Sequence, residues 1–184
     1  MGDPRRLRKK YSTPIHPWQK ARIEDETLLI EEYGLKNKKE IWKIASKVKN
    51  FRIQAKNLIA STTPQGEKER VQLLTKLNRI GLLSERANLD DVLGLETRDL
   101  MERRLQTFVY RKGLAKSIKQ ARQFIIHQHI IVGNKKITVP SYIVKRGEED
   151  TINFVPTSQL ADLEHPEREQ KEKKEKPKKK TRKK

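Results

Sequence analysis

Apolar side chains recur along this chain first at helical spacing and then at every second position. A first helix is predicted from Arg22 to Tyr33, ending at Gly34, which suits a left-handed cap. Asn37 with Glu40 three residues later resembles a capping pair, and Ile41, Ile44, Ala45, Val48, Phe51 and Ala55 follow on one helical face. Thr63-Pro64 opens a third helix, whose apolar positions are Val71, Leu74, Leu77 and Ile80 and whose stop is Gly81. A short piece from Leu89 to Leu93 lies between Asn88 and Gly94. Residues 22–96 therefore read as all-helical.

Beyond Thr97 the pattern changes. Thr97 is placed to cap one helix running to Lys112, with Met101, Leu105, Phe108 and Val109 on one side and Gly113 ending it. Ser117 and Gln120 form an S-x-x-Q capping box for a helix over about 118–128, buried through Ile118, Ala121 and Ile125. The period then drops to two. Residues 129–132 and 136–139 flank the turn Gly133-Asn134-Lys135, and Tyr142–Lys145 and Thr151–Phe154 supply two more strands around a turn at 146–150. The expected fold class is α+β. A basic extended arm (1–20), expected to be disordered on its own, leads into a helical unit (21–97), a two-helix unit with a small antiparallel sheet (98–160), and a disordered Lys-rich tail (161–184). Trp18 is the first bulky side chain available to anchor the arm to a core.

Charge gives this outline a direction. The 184 residues carry 43 Lys plus Arg against 24 Asp plus Glu, a net charge of +19, with 34% apolar and 5% aromatic residues. Residues 165–184 hold 11 of the cations and 4 of the acids without a large apolar side chain, so they are expected to be disordered. Such an end either solubilises or contacts RNA. The remaining chain still carries +12, and an excess of this size points to a polyanion, nucleic acid before membrane. The absence of cysteine excludes disulfides, iron–sulfur clusters and thiolate zinc sites. No apolar run approaches the roughly 20 residues of a membrane span and no signal-peptide core opens the sequence, so an intracellular soluble protein is expected.

Helical geometry assigns the cations to faces. Arg103, Arg104, Thr107 and Arg111 fall opposite the apolar stripe of the helix to Lys112, and Lys119, Gln123 and His127 share a face of the next. Lys112 and Lys116 bracket the turn between the two, and the second helix opens with free backbone N–H groups suited to a phosphate. Two adjacent basic faces favour a phosphate-binding corner over ordinary solvated helix faces. Arg122 lies beside Ile118 and Ile125, where packing its stem and pairing with an acid is an alternative. Glu24–Glu26 are expected at a helix N-terminus and Glu148–Asp150 in a solvated loop. His127 and His129 lack metal-ligand spacing and neighbours, so no metal is expected, and no nucleophile–base pair or nucleotide-binding glycine motif supports an enzyme.

The residues Arg103-Arg104-Leu105, Gly113-Leu114-Ala115-Lys116-Ser117, Ala121-Arg122-Gln123-Phe124-Ile125, His129, Val132, Gly133-Asn134-Lys135 and Pro140-Ser141-Tyr142 resemble the S-four RNA-binding domain in order and spacing, so the unit 98–160 is expected to be of S-four type. The preceding helices, the basic arm and the tail resemble the small-subunit ribosomal protein family that carries this domain, in its archaeal and eukaryotic branch. The resemblance implies direct binding to small-subunit (16S-type) ribosomal RNA, a part in assembly of the subunit body, and influence on decoding accuracy. Partners implied are neighbouring small-subunit proteins and messenger RNA near its entry, with no membrane, small-molecule substrate or cofactor, in the cytoplasmic ribosome. Candidate RNA-binding residues are Arg103, Arg104, Thr107, Arg111, Lys112, Lys116, Ser117, Lys119, Gln120, Arg122, Gln123, His127, His129, Lys135 and Lys136. The arm adds Arg5, Arg6, Arg8, Lys9 and Lys10. Two departures stand out: Ile118 replaces an arginine common in the family, and Gly-Asn replaces Asn-Gly in the hairpin. The alternatives are a polybasic adaptor for RNA or acidic surfaces, or an assembly factor outside the mature ribosome. An enzyme carrying a borrowed S-four module would need a catalytic domain larger than residues 22–96.

Overall fold

The computed structural model describes residues 2, 9–162, 165 and 166. Helices α1 (Lys20–Tyr33), α2 (Lys38–Ala60), α3 (Pro64–Ile80), α4 (Leu89–Gly94) and α5 (Thr97–Glu102) precede α6 (Leu105–Arg111) and α7 (Ile118–Ile126). Strands β1 (Ile130–Val132), β2 (Lys135–Lys136) and β3 (Ile152–Phe154) form an antiparallel sheet in the order β2-β1-β3. Ile130 stands opposite Phe154 and Val132 opposite Ile152, so both strands turn the same apolar positions inward.

Local signals set most of these ends. Thr63 accepts from the Gly66 N–H with Pro64 in the first turn of α3. Gly34 and Gly81 close α1 and α3 in the left-handed conformation. Ser117 accepts from the Gln120 N–H, while the Gln120 side chain reaches back to the Lys116 N–H rather than to that of Ser117. Only the first of the two central hairpin residues, Gly133, has positive φ (59°), the pattern of a type II′ turn, and Val132 pairs directly with Lys135. The turn is therefore two residues, not three, and β2 ends at Lys136.

Two apolar cores result. Tyr33, Ile41, Ile44, Val48, Ala55, Leu73, Leu77, Leu89, Val92, Leu100 and Met101 fill the first, inside α1–α5. Leu105, Val109, Ala121, Phe124, Ile125, Ile130, Val144, Ile152, Phe154 and Leu160 fill the second, between α6, α7 and the sheet.

Several expectations are corrected. Val71 is exposed and Leu73 takes its place in the core. Trp18 does not anchor the arm: it is 90% exposed. Glu24–Glu26 lie in the second turn of α1 rather than the first, because the helix begins at Lys20. Asn37 occupies the N-cap of α2 without a side-chain bond, and the Glu40 carboxylate is engaged elsewhere. The single helix over 97–112 is two, with Glu96 rather than Thr97 at the cap and a break at Arg103-Arg104. The break is held from a distance: Val144 N–H donates to Arg103 O (2.9 Å) and Leu105 N–H to Tyr142 O (2.8 Å). Residues 142–145 thus form no sheet strand. They bridge the break through Arg104 and Ile143. Glu148 and Glu149 are not simply solvated, since Glu148 accepts from Tyr142 and Glu149 pairs with Arg103.

Candidate nucleic-acid interface

The helix break redistributes the expected basic face. Arg104 is 1% exposed, and its guanidinium donates to Glu40 Oε2 at 2.5 Å. Arg122 donates to the other oxygen, Oε1, at 2.7 Å, so one carboxylate of α2 holds two arginines of the second core. Burial alone would push the Glu40 carboxyl up, but the bonds from Arg122 and Arg104 and their charges hold it below its ordinary value. Burial pulls the Arg104 guanidinium down against the opposing effect of Glu40. Thr107 is also buried and donates to Met101 O at 3.0 Å. Arg103 is mostly covered, bound to Glu149 and Val144 O and stacked on Phe108 with 4.9 Å to the ring centre. The four residues do not share an exposed face: Arg104 and Thr107 are buried and Arg103 is mostly covered, which leaves Arg111 alone in solvent. Acids balance them: Glu102 pairs even with Arg111, which remains 59% exposed.

The outer surface of the second unit keeps a different set. Lys112, Lys116, Lys119, Gln123, His127, Lys135 and Lys136 are exposed, and none of these lysines pairs with a carboxylate among the described residues. Lys116 instead donates to Pro166 O at 2.7 Å, which brings the start of the tail against the α6–α7 turn. His129 is half-buried with Nδ1 at 2.8 Å from Ser158 Oγ. With His127, Gln123 and Lys136 it borders an open groove of about 690 Å³ whose lining includes no carboxylate. Ser117 and Gln120 serve the α7 cap, as described above. The rings of His127 and His129 lie 6.5 Å apart, tilted, with no third ligand group in a metal-holding cluster among the described residues.

A second groove, of about 560 Å³, runs between the two cores. Lys10, Tyr11, Lys43 and Lys47 line one side, and Arg122, Pro140, Ser141 and Ile143 the other, above the neutralised Glu40–Arg104 pair. Lys39, Lys43 and Lys47 recur every four residues on the outer side of α2, exposed and without an acid partner among the described residues. Sequence reasoning missed them, although that spacing opposite Ile41, Ile44 and Val48 was a usable signal. Lys9 and Lys10 are exposed, and the described part of the arm is docked rather than disordered: Ser12 N–H donates to Ser46 Oγ (3.0 Å) and Lys43 lies 5.9 Å from the Tyr11 ring centre. Arg5, Arg6, Arg8 and the tail from 167 onward lie outside the described residues.

Residues 103–150 match the S4 domain family. Over 169 residues the chain is 58% identical to the small ribosomal subunit protein uS4 of Methanococcus aeolicus, covering 91% of this chain and 96% of that protein. A second relative of the same name, from Methanococcus maripaludis, is 54% identical over 91% of this chain and 95% of its own length.

Proposed function

The chain belongs to the small ribosomal subunit protein uS4 family, and from that premise we propose that it is a structural protein of the small ribosomal subunit that binds small-subunit ribosomal RNA directly. The family is ribosomal rather than enzymatic, which places the work of this protein in the cytoplasm, inside the ribosome. The observation that carries the RNA reading is the surface around the inter-core groove. Lys10, Lys43 and Lys47 face Arg122 across it, and the acid beneath them, Glu40, is already neutralised by two arginines. Lys119 lies one turn before Arg122 on α7 and extends the positive surface onto the second unit.

Phosphate contacts from lysines on rigid helices release counterions without a large ordering cost. Selection of a folded junction follows from shape, because side chains cannot read the deep, narrow A-form major groove. In this proposal the exposed candidates Lys9, Lys10, Arg111, Lys112, Lys116, Lys119, Gln123, His127, Lys135 and Lys136 contact the RNA, with the half-buried His129 at the edge of its groove and Arg122 on the wall of the inter-core groove. Ser117 and Gln120 act by setting the start of α7. Arg103, Arg104 and Thr107 act by holding the two cores in register. Neighbouring small-subunit proteins, messenger RNA near its entry, nucleation of the subunit body and influence on decoding accuracy extend the same proposal.

The test is titration into small-subunit ribosomal RNA and into an equal-length perfect duplex across a salt series. Preference for the folded RNA that persists as salt rises supports the proposal. Equal affinity at every salt concentration would favour a polybasic adaptor.

A further inference from the structure

The most exposed large apolar side chain among the described residues is Trp18, and its backbone is not loose. The Arg22 guanidinium donates to His16 O (3.1 Å) and Pro17 O (2.7 Å) from Nη2, and to Glu26 Oε1 (2.5 Å) from Nη1. Glu26 is itself 5% exposed, and the same oxygen accepts from Trp42 Nε1 at 2.9 Å, while Lys38 approaches its other oxygen at 3.4 Å. A carboxylate fixed in the first core thus orients Arg22, which clamps the two carbonyls just before Trp18. The indole is held in water by a network anchored in the core.

Charge says what it awaits. From Lys9 to Ile23 the described chain carries Lys9, Lys10, Lys20 and Arg22 and no acid, with Trp18 among them, and Lys20 stays largely exposed although it lies 3.8 Å from Glu24. A large aromatic face on a rigid segment amid cations is the arrangement that stacks an unpaired base while neighbouring cations meet its phosphates. A protein partner would bring an apolar patch of its own, and the surrounding positive charge does not favour one. We propose that Trp18 is a base-stacking site for an unpaired nucleotide of the RNA that this protein binds, with Arg22 as its positioning residue. The inference rests on the RNA-binding function proposed above.

Tryptophan emission tests it in the full chain, since Trp42 is the only other indole and is partly buried. The probes are small-subunit ribosomal RNA of a methanococcal relative and inorganic polyphosphate, a polyanion without bases. RNA is expected to quench emission and polyphosphate to bind without quenching, and Trp18→Phe should abolish most of the quenching. Trp18→Ala should lower RNA affinity about 5- to 150-fold, the range expected for one lost stack, with the slope against salt unchanged because no phosphate contact goes. Trp18→Phe should bind within a few-fold of the parent. A complex whose Trp18 emission is unquenched, or Trp18→Ala binding as tightly as the parent, would overturn this inference alone and leave the residue to a protein neighbour. Failure to bind the RNA at all would overturn the proposed function, and this inference with it.

Discussion

Glu40 shows at the scale of one residue how charge in this protein divides between structure and binding. Removing one partner of a buried pair leaves the other charge desolvated, at a cost of about 3–5 kcal/mol. Glu40→Ala strands Arg104, and Arg104→Ala removes the buried stem as well, so each should shift the urea midpoint strongly. Lys119→Ala, on an exposed face, should stay within about 0.5 kcal/mol of the parent. Arginines 103 and 104 in the sequence are indistinguishable from surface cations, and only the fold shows that they are not. The pH dependence follows from the same groups. Hydrogen bonds and nearby cations hold Glu40, Glu26 and Glu148 below their ordinary value of 4.5, against the opposing effect of burial. Their stabilisation is complete above the unfolded value and is lost as pH falls through the lower folded ones. Unfolding free energy should therefore drop as pH is taken below about 4.5, and more gently in Glu40→Gln, because that variant has lost one of the three linked groups.

Helix ends and turns carry the next scale. Gly34 closes α1 with φ of 56°, and a Cβ there would sit 2.6 Å from Ile118 Cγ2, at the joint between the cores. Gly34→Ala should destabilise by about 1–3 kcal/mol through strain and overpacking. Thermal unfolding reads this directly. The site also gives Ile118 a structural role in place of the family's arginine, since its methyl packs against the end of α1. Gln128 is the mirror case: it ends α7 at φ of 65°, with His129 N–H bonded to Phe124 O, in the position that glycine usually takes. Gln128→Gly should gain roughly 0.5–1 kcal/mol, the left-handed strain less the extra entropy of glycine when unfolded. A loss would mean that the glutamine side chain contributes more than its backbone costs. Gly34, Gly81, Thr63-Pro64 and Ser117 were legible in the sequence because each signal acts within one turn of helix. The break at Arg103-Arg104 was not legible, because what holds it is Val144, 41 residues on. Trp18 was misplaced for a related reason: bulk predicts burial, and nothing local shows the Arg22 clamp.

Among the described residues, two apolar cores are joined by ion pairs and amide bonds, with Ile143 and Ile118 adding apolar contact at the joint. Glu40 of α2 binds Arg104 and Arg122, Glu102 of α5 accepts from Tyr33 and pairs with Arg111 of α6, Arg146 reaches Asn78 and Leu83 O, and Gln106 bonds the Gly34 carbonyl. With Arg103 and Arg104 covered at this joint, the exposed lysines beside the inter-core groove and on α7 make most of the RNA contacts in the proposed interface. The direct test is the salt dependence of binding to small-subunit ribosomal RNA for the parent and for Lys43→Ala/Lys47→Ala/Lys119→Ala. The variant should unfold in urea within about 1 kcal/mol of the parent. Its binding should be weaker, with a slope of log affinity against log salt shallower by about 2 to 3, one lost contact per lysine. A folded variant with the parent's affinity and slope would contradict RNA binding through these lysines.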